Sequence, residues 1–131
     1  MVEGRRRRLP SVAVSDPVFV EHGGVRILRV DYSGLSAREL PSSLKATMKV
    51  IATQPRASLR VLTVVNAHFD AVAAEAIKAY SAHNTPFLRA SALVGATHFR
   101  KVLLESLKLR GRKDLEAFET EAEALAWLAR R

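Results

Sequence analysis

Seven consecutive residues, Leu59-Arg60-Val61-Leu62-Thr63-Val64-Val65, restrict the fold more than any other stretch of the chain. Arg60 and Thr63 apart they are apolar, and they are largely β-branched with little alternation, as expected of a strand covered on both faces, the usual state of a central parallel strand. A polar turn follows, Asn66-Ala67-His68-Phe69-Asp70, and then an Ala-rich run at helical spacing that ends at Tyr80. Strand, turn and helix in that order make half of a βα unit, so a parallel sheet with helical crossovers is predicted.

The rest of the chain fits that frame. Val18-Phe19-Val20 and Val25 to Tyr32 flank His22-Gly23-Gly24, and two glycines able to take positive φ predict a tight β-hairpin. Ser36-Ala37-Arg38-Glu39 has the form of a capping box. Leu40, Leu44, Met48 and Ile51 then share one helical face. Pro41 is tolerated only in a first turn, which moves the regular helix start towards Leu40, and Gln54-Pro55 ends it. In the next helix Asp70 is the expected N-cap, and Val72, Ala73, Ala76, Ile77 and Tyr80 form the inward stripe. Asn84 is expected in the left-handed position after that helix, with Pro86 barring its continuation. Phe87 to Val94, closed by Gly95, is a second parallel strand. Thr97 opens a helix with Phe99, Val102, Leu103 and Leu107 on its inner face, stopped by Gly111. A short edge strand, Leu115 to Phe118, precedes a second capping box at Thr120 to Glu123 and a last helix facing inward through Ala124, Leu125 and Leu128. The predicted class is α/β: one domain with a mostly parallel central sheet, an N-terminal antiparallel hairpin and about four helices.

Composition limits what such a domain can be. A chain of 131 residues, 48% of them hydrophobic, can bury a real core. No run approaches the roughly 18 to 20 apolar residues that a membrane span needs. With no cysteine there is no disulfide framework, thiolate zinc site or thiol nucleophile, and a bacterial-type cytoplasmic setting fits. The formal charge of +8 is half explained by Arg5 to Arg8. Residues 1–16 lack periodicity and are expected to form a flexible basic arm ahead of a folded domain over 17–131, although Val12 to Val14 could pair with a sheet edge. Such an arm binds nucleic acid only non-specifically, by counterion release.

From Val18 to Ala129 the pattern resembles STAS-like domains of the SpoIIAA-like group, related to bacterial anti-sigma-factor antagonists. The resemblance is carried by the opening hairpin, the strand Val61 to Val65 before a helix, and the strand Phe87 to Val94 with Gly95. Its most specific part is the ending Phe118-Glu119-Thr120-Glu121-Ala122-Glu123-Ala124-Leu125-Ala126-Trp127-Leu128. It implies a non-enzymatic regulatory module that binds a protein, a second copy of the chain included, and needs no cofactor. In phosphorylation-switched members an Asp-Ser-Ser-Gly type turn opens the helix after the central strand. Here that place reads Asp70-Ala71-Val72-Ala73, so the hydroxyl a kinase would modify is missing.

The chemistry-bearing residues point to one edge. His68 and His98 each follow a parallel strand at its carboxyl end, where open α/β sheets usually bind ligands. Asn66, Asp70, Ala71, Val72, Thr97 and the pair Tyr32-Ser33 are expected beside them, as a partner surface or a pocket for an anionic or lipid-like ligand. An enzyme using that edge is the alternative, although no catalytic residue can be assigned. Asp70 and Thr97 also serve as helix caps, which needs no ligand. Arg100, Lys101, Lys108, Arg110, Arg112 and Lys113 make a basic patch that either meets an acidic partner or nucleic acid or complements a helix C-terminus. There is no glycine-rich phosphate loop, no Gly-x-Ser-x-Gly elbow and no spacing of residues suited to a metal.

Overall fold

The structure, a computed structural model, describes residues 17–36, 38–65, 71–95 and 114–131, with 71–74 described in their backbone only. In chain order the elements are β1 (Val18–His22), β2 (Val25–Asp31), α1 (Leu40–Ile51), β3 (Leu59–Val65), α2 (Ala71–Asn84), a 3-10 turn (Thr85–Phe87), β4 (Leu88–Gly95), β5 (Leu115–Phe118) and α3 (Glu121–Ala129). The five strands form one sheet in the order β1-β2-β3-β4-β5. β1 pairs antiparallel with β2, and every later pairing is parallel. The α/β class and the mixed sheet are as predicted. Three α-helices lie among the described residues against about four expected; the helix from Thr97 to Gly111 falls outside them, as do the arm 1–16 and the segment Val12 to Val14.

Local chemistry accounts for the boundaries. His22 and Val25 are register partners, so Gly23 and Gly24 are the whole loop, and their φ values of 59° and 80° are those that a two-residue hairpin turn requires. The Ser36 to Glu39 box closes: the Ser36 N–H donates to Glu39 Oε1 at 2.9 Å and the Glu39 N–H donates to Ser36 Oγ at 3.2 Å. The box shapes the entry to α1, and the regular helix begins at Leu40 with Pro41 in its first turn. At α3 the Glu123 N–H donates to Thr120 Oγ1 at 3.2 Å, so the second box caps that helix directly. Asn84 differs from expectation. It has φ −78°, remains right-handed, is buried, and leads into the 3-10 turn that carries Pro86. That extra turn delays the strand, so β4 starts at Leu88 instead of Phe87.

Alternation along β3 divides the interior in two. Leu59, Val61 and Val65 join a core with Leu28, Val30 and Leu93, roofed by Leu40, Leu44 and Ile51 of α1 and Ile77 and Tyr80 of α2. Leu62 and Val64 join the opposite core with Ile27, Ala90, Ala92 and Val94, roofed by Ala124 and Leu128 of α3. Phe87, Leu125 and Trp127 are only partly buried, and Leu103 lies outside the described residues. Trp127 packs on Phe118 with ring centroids 5.5 Å apart. One ion pair crosses from sheet to helix on this second face. Arg29 grips Glu121 with both ends of its guanidinium, Nε to Oε1 at 2.8 Å and a terminal nitrogen to Oε2 at 3.0 Å.

Leu62 is fully buried at the middle of the central strand. Leu62→Ala should lower unfolding free energy by about 2 to 5 kcal/mol, through lost transfer energy and the cavity left behind. Chemical denaturation checks this; a loss below about 0.5 kcal/mol would mean the strand is not two-sided.

Candidate functional site

The carboxyl edge of the sheet is built by strand register. Val65 and Gly95 are partners at the ends of β3 and β4, so the connections that leave them start side by side. Gly95, the last residue of β4, has φ 106°, a conformation that side-chain-bearing residues seldom take. The residues expected to carry chemistry at this edge, Asn66, His68, Asp70, Thr97 and His98, lie outside the described residues, as do Arg100, Lys101, Lys108, Arg110, Arg112 and Lys113. Ala71 and Val72 occupy the first turn of α2. Thus the helix opens where the sequence places it.

The neighbouring strand end departs from expectation. Ser33 stays at the edge, its N–H donating to Asp31 Oδ1 at 2.8 Å, but Tyr32 turns inward and is almost wholly buried. The Tyr32 N–H donates to the Val64 carbonyl at 2.8 Å, extending the pairing of β2 with β3 by one bond. Its hydroxyl donates to Thr47 Oγ1 at 2.8 Å, and Thr47 in turn donates to the Ser43 carbonyl at 3.2 Å. This explains why Thr47, a polar residue on the inner face of α1, is fully buried. Tyr32 therefore belongs to the interior and leaves the polar edge group.

Tyr80 completes a polar island in the first core. It meets Tyr32 edge-on, with centroids 6.1 Å apart and planes at 78°. Its hydroxyl is buried among the side chains of Tyr32, Thr63 and Asn84, yet none of them reaches it in hydrogen-bonding geometry. Beside it is a cavity of about 40 Å³ bordered by Val61, Thr63, Tyr80, Asn84, Ser91 and Leu93. A single water needs roughly 10 to 15 Å³, so water has room to serve the phenol. Burial pushes both phenols above their ordinary range, Tyr32 very strongly. As neutral groups they act as hydrogen-bond donors. Sequence periodicity placed Tyr80 on the inward stripe, but nothing in it signalled the Tyr32–Thr47 bond, because a threonine at a helical core position reads as neutral until its partner is known.

Among the described residues no group of three or more His, Asp or Glu side chains is placed to hold a metal ion. No helix there is long and apolar enough to cross a membrane. No family model, curated protein or solved structure matches the chain.

The sequence has two tyrosines, both in this island. Their ordinary ionisation lies near pH ~10 in the unfolded chain and higher in the fold, so the native state binds more protons above that pH. Stability from these groups is complete below pH ~10 and declines as pH rises further. In an alkaline titration read by phenolate absorbance, both tyrosines should ionise only as the fold is lost. A one-tyrosine step near pH ~10 with native circular dichroism intact would contradict the buried island.

Proposed function

We propose that the chain is a STAS-like protein-interaction module of the bacterial cytoplasm, one that binds its partner at the carboxyl ends of β3 and β4 without a phosphoserine switch. The observation that carries this reading is the start of α2 at Ala71, six positions after the central strand ends at Val65. In the switched domains that the sequence resembles, the modified hydroxyl stands in the turn that opens this helix. Here the positions are Asp70, Ala71 and Val72. A phosphate at a helix N-terminus would be electrostatically welcome, but the residue to receive it is missing. The strand order, the opening hairpin and the last helix on the opposite face also support the resemblance.

The test is a pull-down from the native host with the tagged chain, followed by mass spectrometry and phosphatase treatment. One stoichiometric protein should be recovered, its binding indifferent to phosphatase and weakened at least tenfold by Asp70→Lys. No phosphate should be found between Asn66 and Ala76, a stretch without Ser, Thr or Tyr. A stoichiometric phosphate on His68 or Asp70 would mean that the module is switched. Recovery of no protein, with a small ligand that stabilises the wild type but not His68→Ala, would favour the pocket instead.

A further inference from the structure

The first core is not completely filled, and the strand register shows where. Val61, Ser91 and Leu115 are partners in one row across β3, β4 and β5, and Thr63 pairs with Leu93 in the next row on the same face. Ile77, Tyr80, Ser81 and Asn84 recur at helical spacing on the side of α2 that meets these rows. Ser91 is the short side chain between Val61 and Leu115, and the cavity of about 40 Å³ beside Tyr80 lies over it. Thr63 reports the same void. Leu59, Val61 and Val65 share its face of β3 and are buried, yet Thr63 itself is only half-buried, so a solvent-sized molecule still reaches its side chain.

The chemistry of the wall limits what can occupy this space. Tyr80 is buried, and its hydroxyl borders the cavity without a hydrogen-bond partner. A buried donor without an acceptor is costly and is rarely left so. The other polar groups are largely engaged: Asn84 Oδ1 meets His83 Nδ1 at 3.0 Å, and Ser81 and Ser91 are already partnered. No charged side chain borders the cavity among the described residues, so an ion entering it would lose its hydration without meeting a counter-charge.

Water answers only part of this demand. The cavity has roughly three times the room that one water needs, which suits a molecule of about three to five non-hydrogen atoms. One water can accept from the phenol. The remaining room faces Val61, Ile77, Leu93 and Leu115, and further waters there would lack the two to four polar partners that hold a buried water in place. A molecule with one accepting oxygen and a hydrocarbon body meets both halves of the wall.

We propose that this cavity is a binding site for a small neutral organic molecule, of the short-chain alcohol or ketone class, whose oxygen accepts from the Tyr80 hydroxyl while its hydrocarbon part lies against Val61, Ile77, Leu93 and Leu115. The site is inside the first core and does not depend on the partner surface proposed at the strand ends. Its specificity is for a neutral ligand with an acceptor, because the phenol supplies the donor and nothing in the described wall balances a charge.

Backbone amide shifts of the full-length protein, titrated with 2-propanol and separately with acetate at constant ionic strength, test it. 2-Propanol should give saturable shifts at Val61, Thr63, Ile77, Tyr80, Ser91 and Leu93. Acetate, of similar size but charged, should give none there. Tyr80→Phe keeps the ring and removes the donor, so it should weaken 2-propanol binding at least fivefold with an unchanged circular dichroism spectrum. Thr63→Ile, which keeps a β-branched residue in the strand and fills the room from the sheet side, should abolish the saturable shifts. Shifts that rise linearly and spread over the surface would mean that the cavity holds water only. That result, equal binding of acetate, or an unchanged affinity in Tyr80→Phe would each overturn the proposal.

Discussion

The architecture depends on the need to cover β3 on both faces. It lies in the middle of five strands, so both rows of its side chains face protein, and only Arg60 and Thr63 depart from near-complete burial. Parallel neighbours joined by right-handed crossovers and added in one direction put their helices on the same face of the sheet. The order β1-β2-β3-β4-β5 is built in that way, and α1 and α2 accordingly share one core. Leu62 and Val64 on the other face are left to the only described helix that comes after the last strand.

That helix, α3, has nine residues, so it must approach closely to exclude water. Ala90 and Ala92 on β4 and Ala124 on α3 keep the surfaces near, and Leu128 fills the space they leave, fully buried. The Arg29–Glu121 pair fixes the beginning of the helix, and the Arg131 guanidinium lies 4.8 Å from the Trp127 ring centroid at its end. The magnitudes separate the roles. A part-exposed ion pair contributes about 0 to 1 kcal/mol, whereas burying one leucine contributes roughly 1.5 to 3 kcal/mol. Leu128 therefore supplies the adhesion, and Arg29 with Glu121 sets the angle.

What could be seen in the sequence follows from how local each determinant is. The hairpin, both capping boxes and the two-sided strand are set by residues within a few positions of one another, and all four are found in the structure. Asn84 is the counterexample. Its polar side chain suggested a left-handed helix end, but burial and a contact between its Oδ1 and His83 Nδ1 at 3.0 Å keep it right-handed. Thr47 and Met48 show the same limit. Periodicity favoured Met48 for the core, and the buried position went to Thr47 because Tyr32, fifteen residues earlier, supplies its hydrogen bond. At the carboxyl edge the sequence located the strand ends and the start of α2, while its titratable residues lie outside the described part.

If β3 is clamped between two cores that stand or fall together, its amides can exchange with solvent only when the whole domain opens. Native-state hydrogen exchange on the wild type and on Leu128→Ala measures this directly. The account predicts that the amides of Val61 to Val64 are among the slowest, with an opening free energy equal to that of global unfolding. Leu128→Ala should lower both quantities by the same amount. Detachment of α3 as a separate, cheaper opening, with the β3 amides retaining their wild-type protection in Leu128→Ala, would contradict it.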